Sequence, residues 1–480
     1  MRLLPRNSFT KEGQRHVKTV PVKLIRAQNI QRKAHPDDHF AAAVNLYFRN
    51  LAEALGPEIC LVISQDDKAR VHMGLPAANK QAPVLMHLDY IVMLPDHDYV
   101  VAPGHKLIPS VYAGLNFENR KLTYSGPTYI AIRSGKHDKS TASSHAQDFR
   151  AFLTRQSFES LAKTGAGEVK PVIFIFTDGG PDENPRFPKV LEEVAKNFRL
   201  FDLDGIFVAT HAPGHSAFNQ VERRMAPLSR DLAGLVLPHD HYGSHLNASG
   251  KTIDAELELK NFQKAGETLA EVWSSNTIDG FPVDAEYIAP ENSTSNPIGD
   301  DMDWFTEEWR AKHVRQAQYC LQIVKCSDES CCKPFRSNYN QIFPARFVPA
   351  PVLFTSSAKG PVACSTPSEK GHFGTLYERN FLQGAISYVK GNENLPFDFY
   401  CPSVHDEIKE RICNACQGYF ISKKALATHK KIFHKSSVAS IEESINAVVE
   451  MYAPPPADKD ITIIGDLAAW MSPDLVEIDE

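Results

Sequence analysis

Residues 172–184 read VIFIFTDGGPDEN. The run from Val172 to Phe176 is short and wholly apolar, and it stops at Asp178, Gly179 and Gly180. That pattern predicts a strand buried on both faces, with an acid where the chain turns. Downstream, Phe187 to Phe198 has helical spacing, Gly205 to Thr210 repeats the buried-strand pattern, and another helix begins near Asn219. Upstream, His145 to Lys163 sets Phe149, Phe152, Leu153 and Leu161 at helical spacing. Before it lie strand-like runs at Val84 to Leu94, Tyr99 to Ala102 and Thr128 to Ile132, separated by Pro and Gly. The earliest strand, Ile59 to Ser64, runs into Gln65, Asp66, Asp67 and Lys68, and a helix over Asp37 to Leu55 precedes it. Strands first and alternating units afterwards predict an α/β fold, a mixed sheet flanked by helices.

The chain has 480 residues, more than the roughly 250–300 that one core accommodates, so several domains are expected. Its apolar and charged fractions, 42% and 23%, are ordinary for globular proteins, and no apolar run approaches a membrane span. The first residues lack the apolar stretch of a signal peptide, which predicts an intracellular chain whose nine cysteines are reduced. A net charge of -6 argues against a polyanion-binding surface along the whole chain, but charge is unevenly spread. Residues 1–36 form a basic arm, 37–275 the α/β core, 276–408 a cysteine-containing region, 409–436 a small finger and 437–480 an acidic tail. Ala255 to Ser274 reads as a helical extension of the core, and Pro282, Pro290, Pro297 and residues 300–303 mark the boundary after it.

The finger rests on spacing. Two residues separate Cys413 from Cys416, twelve separate Cys416 from His429, and four separate His429 from His434. This is the pattern of a zinc-binding ββα finger, and Phe420 and Leu426 fall where such a finger keeps its small core. The positions that would face bases, near Ser422, Lys424, Ala425 and Thr428, include no arginine, and one finger spans only about three base pairs. Lys423, Lys424, Lys430 and Lys431 would suit phosphate contacts; a protein-docking finger or a solvated basic face is the alternative.

Three acids stand at marked places: Asp66 after the first strand, Asp178 after the strand at 172–176, and Glu222 in the helix that follows Asn219. Each has a plain structural reading. Asp178 before two glycines can form a turn, Asp66 or Asp67 can solvate a strand end, and Asn219 with Glu222 fits a capping box.

Taken with the element order, the three acids resemble the RNase H-like fold, and in particular its DDE transposase and integrase branch. The step from Asn219 to Glu222 is similar to the Asn-Pro-x-Glu step of mariner-like enzymes, with Gln220 in place of Pro. The resemblance covers about residues 59–235. It implies a site in which Asp66, Asp178 and Glu222 hold two magnesium or manganese ions for DNA strand cleavage and strand transfer. It also implies DNA as partner, a homo-oligomer and nuclear localisation, with zinc in the finger. A host-adopted factor that has lost catalysis, or a nuclease that cuts without joining, keeps the same residues. Neighbours on a strand face opposite ways, so Asp67 competes with Asp66 until the register is known. No helix-turn-helix precedes the core.

His87, His97, His105, His211 and His215 are expected to be structural or solvent-facing. Cys320, Cys326, Cys331, Cys332, Cys364 and Cys401 invite a second zinc site, but their spacing fits no zinc template and free thiols are expected. Arg133, Lys136 and Lys139 read as a solvated loop or a DNA-tracking one.

Overall fold

The computed structural model describes residues 35–74, 102, 104–232, 235–290, 302–357, 360–381 and 395–434, together with the backbone of 23–26 and 90–93. The expected strand at 99–102 therefore lies almost wholly outside the described residues, as do His87, His97, Pro297, the acidic tail and most of the basic arm. The chain divides into two compact units, at Val348 and Pro349.

The first unit is built on one large mixed sheet. In chain order its main elements are α1 (Asp38–Leu55), β1 (Cys60–Asp67), β2 (Lys106–Gly114), β3 (Thr128–Ser134), α2 (Ala142–Phe152), β4 (Val172–Thr177), α3 (Pro188–Leu200), β5 (Gly205–Thr210) and α4 (Glu222–Asp231). These are followed by α5 (Ala255–Ser274), β6 (Phe281–Ile288), α6 (Glu307–His313) and β7 (Cys320–Val324). Across the sheet the order is β6, β3, β2, β1, β4, β5, β7, with short strands at both edges. Strand β2 runs antiparallel to both its neighbours, β1 and β3, whereas β1, β4 and β5 run parallel. That order and those directions are consistent with an RNase H-like fold.

Alternation along β4 explains the layers. Ile173 and Ile175 join Phe149 and Phe152 of α2 and Val190, Leu191 and Phe198 of α3 in one buried cluster. Phe174 points to the other face, where it stacks on Phe207 of β5 at 4.9 Å, and Phe48 of α1 meets both rings edge-on. A strand buried on both faces has no polar position to spare, which is why it reads as an unbroken apolar run.

Two features depart from the expected organisation. Strand β2 contains Pro109, which argues against a central strand. Its carbonyl accepts from the Lys68 backbone, so the missing N–H faces the point where β1 has just ended and the β2 pairing shifts to Val71–His72. The second departure is the 275/276 boundary, which falls inside the sheet. β6 pairs in parallel with β3, and β7 pairs antiparallel with β5. The loop reading of Arg133 also needs correction, whereas Lys136 does lie in an exposed turn. Arg133 is fully buried in a bidentate pair with Asp148, and Lys136 donates to Glu258 on α5.

Glu258 anchors α5. Burial alone would raise its carboxyl, but hydrogen bonds from Lys136, Thr252 and His137 outweigh this and bring it down to about 2. Beside it, the Nε2 atoms of His105 and His245 lie 2.7 Å apart. Asn261 accepts from the Tyr242 amide, and its Nδ2 donates to the Gly243 carbonyl and to His245 Nδ1. The His245 proton therefore sits on Nε2 and is donated to His105.

Gly266, mid-way along α5, lets the helix lie against Tyr287 of β6: an added Cβ would come within 2.1 Å of the ring. Replacing a helical glycine by alanine normally gains about 1 kcal/mol. Here overpacking, at about 1–3 kcal/mol, outweighs that gain. Gly266→Ala is expected to lower the urea midpoint, and a raised midpoint would contradict this packing.

Candidate functional site

Parallel pairing of β1 with β4 sets Cys60 to Ser64 beside Val172 to Phe176, so the two strands end at the same edge of the sheet. Asp66 lies in the last turn of pleat of β1, and Asp178 follows β4 by one residue. Carboxylate oxygens of Asp66, Asp178 and Glu183 lie within 4.8 Å of one another. Asp66 is only 8% exposed and Glu183 only 4%.

Glu222 opens α4, and its placement depends on Asn219. Asn219 does not cap the helix: Ser64 Oγ donates to its Oδ1 at 2.5 Å, and its Nδ2 donates to the Gln65 carbonyl at 2.9 Å. The Val221 amide donates to the same Ser64 hydroxyl. No side chain caps α4, so the capping-box alternative is not the arrangement present. The start of α4 is instead pinned to β1, which brings Glu222 within electrostatic reach of Asp66 and Asp178. Glu222 is outside the 4.8 Å group.

The strand pleat separates the neighbours Asp66 and Asp67. Ser64 and Asp66 face the α4 side, whereas Asp67 accepts from Ser110 and groups with His145 and Asp182. The turn reading of Asp178 coexists with its place in the cluster. Its Oδ1 accepts from the Gly180 amide at 2.8 Å, and Gly179 has φ +93°, a conformation that favours glycine.

The electrostatics are those of negative charge crowded out of water. Burial first, then the charges of Asp178 and Glu222, push the Asp66 carboxyl from its ordinary 3.8 up to about 8. Burial, Asp178 and Asp66 hold Glu183 well above the usual carboxylate range, with Gln65 Nε2 donating to it at 3.0 Å. Burial raises Glu222 as well; Lys68 opposes the shift and Asp178 adds to it. A divalent cation relieves this kind of stress, and hard carboxylate oxygens suit magnesium or manganese. The donor set fits such an ion.

Behind the acids runs a buried polar chain that the sequence reading missed, along with Glu183. Arg133 holds Asp148, Tyr112 donates to Asp148 at 2.7 Å and meets His145 Nδ1 at 2.6 Å, and His145 Nε2 reaches Asp182 at 3.3 Å. Burial disfavours the imidazolium of His145, but Asp182, Asp67 and Asp148 outweigh it and raise its pKa. His211 and His215 belong elsewhere. Burial pushes His211 down to about 4, and His215 pairs with Asp38 of α1.

In the second unit, ligand atoms of Cys413, Cys416, His429 and His434 come within 4.8 Å, an arrangement consistent with zinc. Ser422 caps the helix α7 (Lys423–Phe433), and Phe420 packs on His429 with ring centroids 4.4 Å apart. In place of the two expected strands there is a single bridge, Ile412 to Tyr419. Lys424, Thr428, Lys430 and Lys431 are exposed, whereas Lys423, also exposed, pairs with Glu410.

No protein-family model matches this chain, and no curated protein matches it. Among solved structures the chain is similar to the crystal structure of the Mos1 strand transfer complex, at 12% identity and a TM-score of 0.27, over 52% of this chain and 64% of that one. The chain thus spans less than two thirds of that protein's length. At such a distance the reading of the site rests on its own geometry.

Because the folded pKa of Asp66 is raised, its contribution to stability is complete below about pH 4 and is lost as pH climbs towards about 8. With chelator present, wild type is expected to lose melting temperature relative to Asp66→Asn across that window, as followed by differential scanning fluorimetry. Equal pH dependence in the two proteins would show that Asp66 is not under this strain.

Proposed function

We propose that this chain is a transposase-like enzyme that cleaves DNA strands and joins a freed 3′ end to target DNA, and that the finger assists DNA binding. The observation that carries this reading is the convergence of Asp66, Asp178 and Glu183, with Glu222 beside them, at the shared end of two parallel strands. Magnesium or manganese, when bound, supplies charge neutralisation at the scissile phosphate and activation of the attacking oxygen.

The chain's own residues do the positioning. Asp66 and Asp178 are fixed by β1 and β4 and present oxygens towards the same point. Glu222 completes the anionic rim from α4, where the Ser64–Asn219 hydrogen bond sets its distance. Lys68, hydrogen-bonded to Ser229 of α4 at 2.5 Å, places a cation near Glu222 at the mouth of the site. Glu183, held by Gln65, and Asp182, held by His145, fix the loop after Asp178. Work on DNA implies a nuclear protein, and the transposase-like reading carries with it a homo-oligomer.

Magnesium-dependent cleavage and end-joining of labelled duplexes should fall by about a hundredfold or more in Asp66→Asn and in Asp178→Asn. Cleavage without joining would identify a nuclease, and activity unchanged in both variants would leave a non-catalytic, host-adopted interaction factor as the reading. For the finger, Lys424→Ala and Lys430→Ala should each reduce the salt dependence of DNA binding by about one unit of slope. Lys423→Ala should change it less, because Glu410 already occupies that ammonium. Slopes identical to wild type in all three would remove the finger from the DNA interface.

A further inference from the structure

A second cysteine cluster lies within the first unit, near the sheet edge, where the short strand Val314–Gln316 pairs with β7. His313 is the last residue of α6, Cys326 follows β7 by two residues, and Cys331 and Cys332 complete the stretch CSDESCC. The imidazole and the three sulfurs present ligand atoms within 4.8 Å of one another. His313 Nε2 is 3.2 Å from Cys332 Sγ and 3.7 Å from Cys331 Sγ. A local turn gathers the sulfurs. The amides of Cys331 and Cys332 both donate to the Asp328 carbonyl at 2.9 Å, and Ser330 donates to the Asp328 side chain through both its amide and its hydroxyl.

The tautomer of His313 is the one that a metal cage requires. Its Nδ1 lies 2.7 Å from the carbonyl oxygen of Trp309, one helical turn earlier. A carbonyl only accepts, so Nδ1 carries the proton and Nε2 turns its lone pair towards the sulfurs. This is how a metal-bound histidine is oriented by a partner behind it. The Trp309 ring stacks on the imidazole at 4.5 Å and 16°, fixing its plane. The His105–His245 pair is the contrast, because there Asn261 donates to Nδ1 and leaves the proton on Nε2.

We propose that His313, Cys326, Cys331 and Cys332 form a structural zinc site of the Cys3His type. Three thiolates and one imidazole are a soft donor set that selects zinc over magnesium, and four protein ligands close the coordination sphere. The ion would clip the end of α6 and the loop after β7 together, beside the edge where Val314–Gln316 pairs with β7. The two sides of that loop are already tied to the core. Lys325 Nζ reaches Asp202 and Asp204 at 3.0 and 3.1 Å, and the amides of Arg336 and Ser337 donate to Asp204 at 2.9 and 2.8 Å. The intervening residues have no apolar core of their own, and the metal supplies the missing cross-link. The assignment is independent of the carboxylate site and of the finger.

The test uses the full chain carrying Cys413→Ser and Cys416→Ser, which removes both thiolate ligands of the finger. Mass spectrometry of metals should still find one zinc per chain. Alkylation followed by peptide mapping should find Cys331 labelled about tenfold or more slowly before chelation than after it. Cys331 is exposed, so burial does not account for protection there. Cys332→Ser added to this background should release the zinc, and the labelling of the parent protein stands even where that variant fails to fold. A zinc-free parent, equal labelling of Cys331 with and without chelator, or a disulfide among these cysteines would overturn the proposal.

Discussion

The parallel pairing of β1 with β4 is the constraint on which the remaining architecture depends. Two strands running side by side in the same direction end together, and whatever residues follow them are forced into one place. Here those residues are acids. A parallel pair also needs a crossover between its strands, and β2, β3 and α2 occupy it. Helices α2 and α3 cover one face of β4 and α1 the other, so the acids collect where the strands end. The site is a consequence of connectivity before it is a matter of particular side chains.

Holding these carboxylates together opposes folding, and the structure shows what compensates. Ser64 and Asn219 lock α4 onto β1 through hydrogen bonds that do not depend on charge. Gln65 engages Glu183, and the chain from Arg133 to His145 supplies positive charge to Asp182 and Asp67 from behind. None of these contacts neutralises Asp66. The strain that remains falls on Asp66, crowded by Asp178 and Glu222, and on Glu183 beside it, as expected of a site that would hold an ion.

Much of this was legible in the sequence, for identifiable reasons. β5 and α5 match their expected limits, and β4 extends only one residue further, because continuous apolar runs and long helical periods end at polar residues or glycine. The order of elements made Asp66, Asp178 and Glu222 candidates together. β2 was missed because Pro109 marks a strand as unsuited to the middle of a sheet, and only its position where β1 ends makes it tolerable. β6 was read as a boundary because Pro282 and its polar residues hide a strand near the margin of the sheet, flanked on its outer side only by the short strand Thr277–Ile278. Glu183 reads as part of a turn, and Arg133 as part of a basic loop, until tertiary contacts bury both. The cysteines near His313 stood out in the sequence but matched no template for a related reason: the histidine comes before them and two of the sulfurs are adjacent, so no familiar spacing joins the four.

The central claim is that the acids at the end of β1 and β4 hold a divalent cation, and manganese binding to the full chain, followed by electron paramagnetic resonance, tests it most directly. The account predicts saturable binding by wild type at pH 8 that is lost in Asp66→Asn and in Asp178→Asn while zinc content stays unchanged. Manganese binding that is equal in wild type and both variants would contradict it.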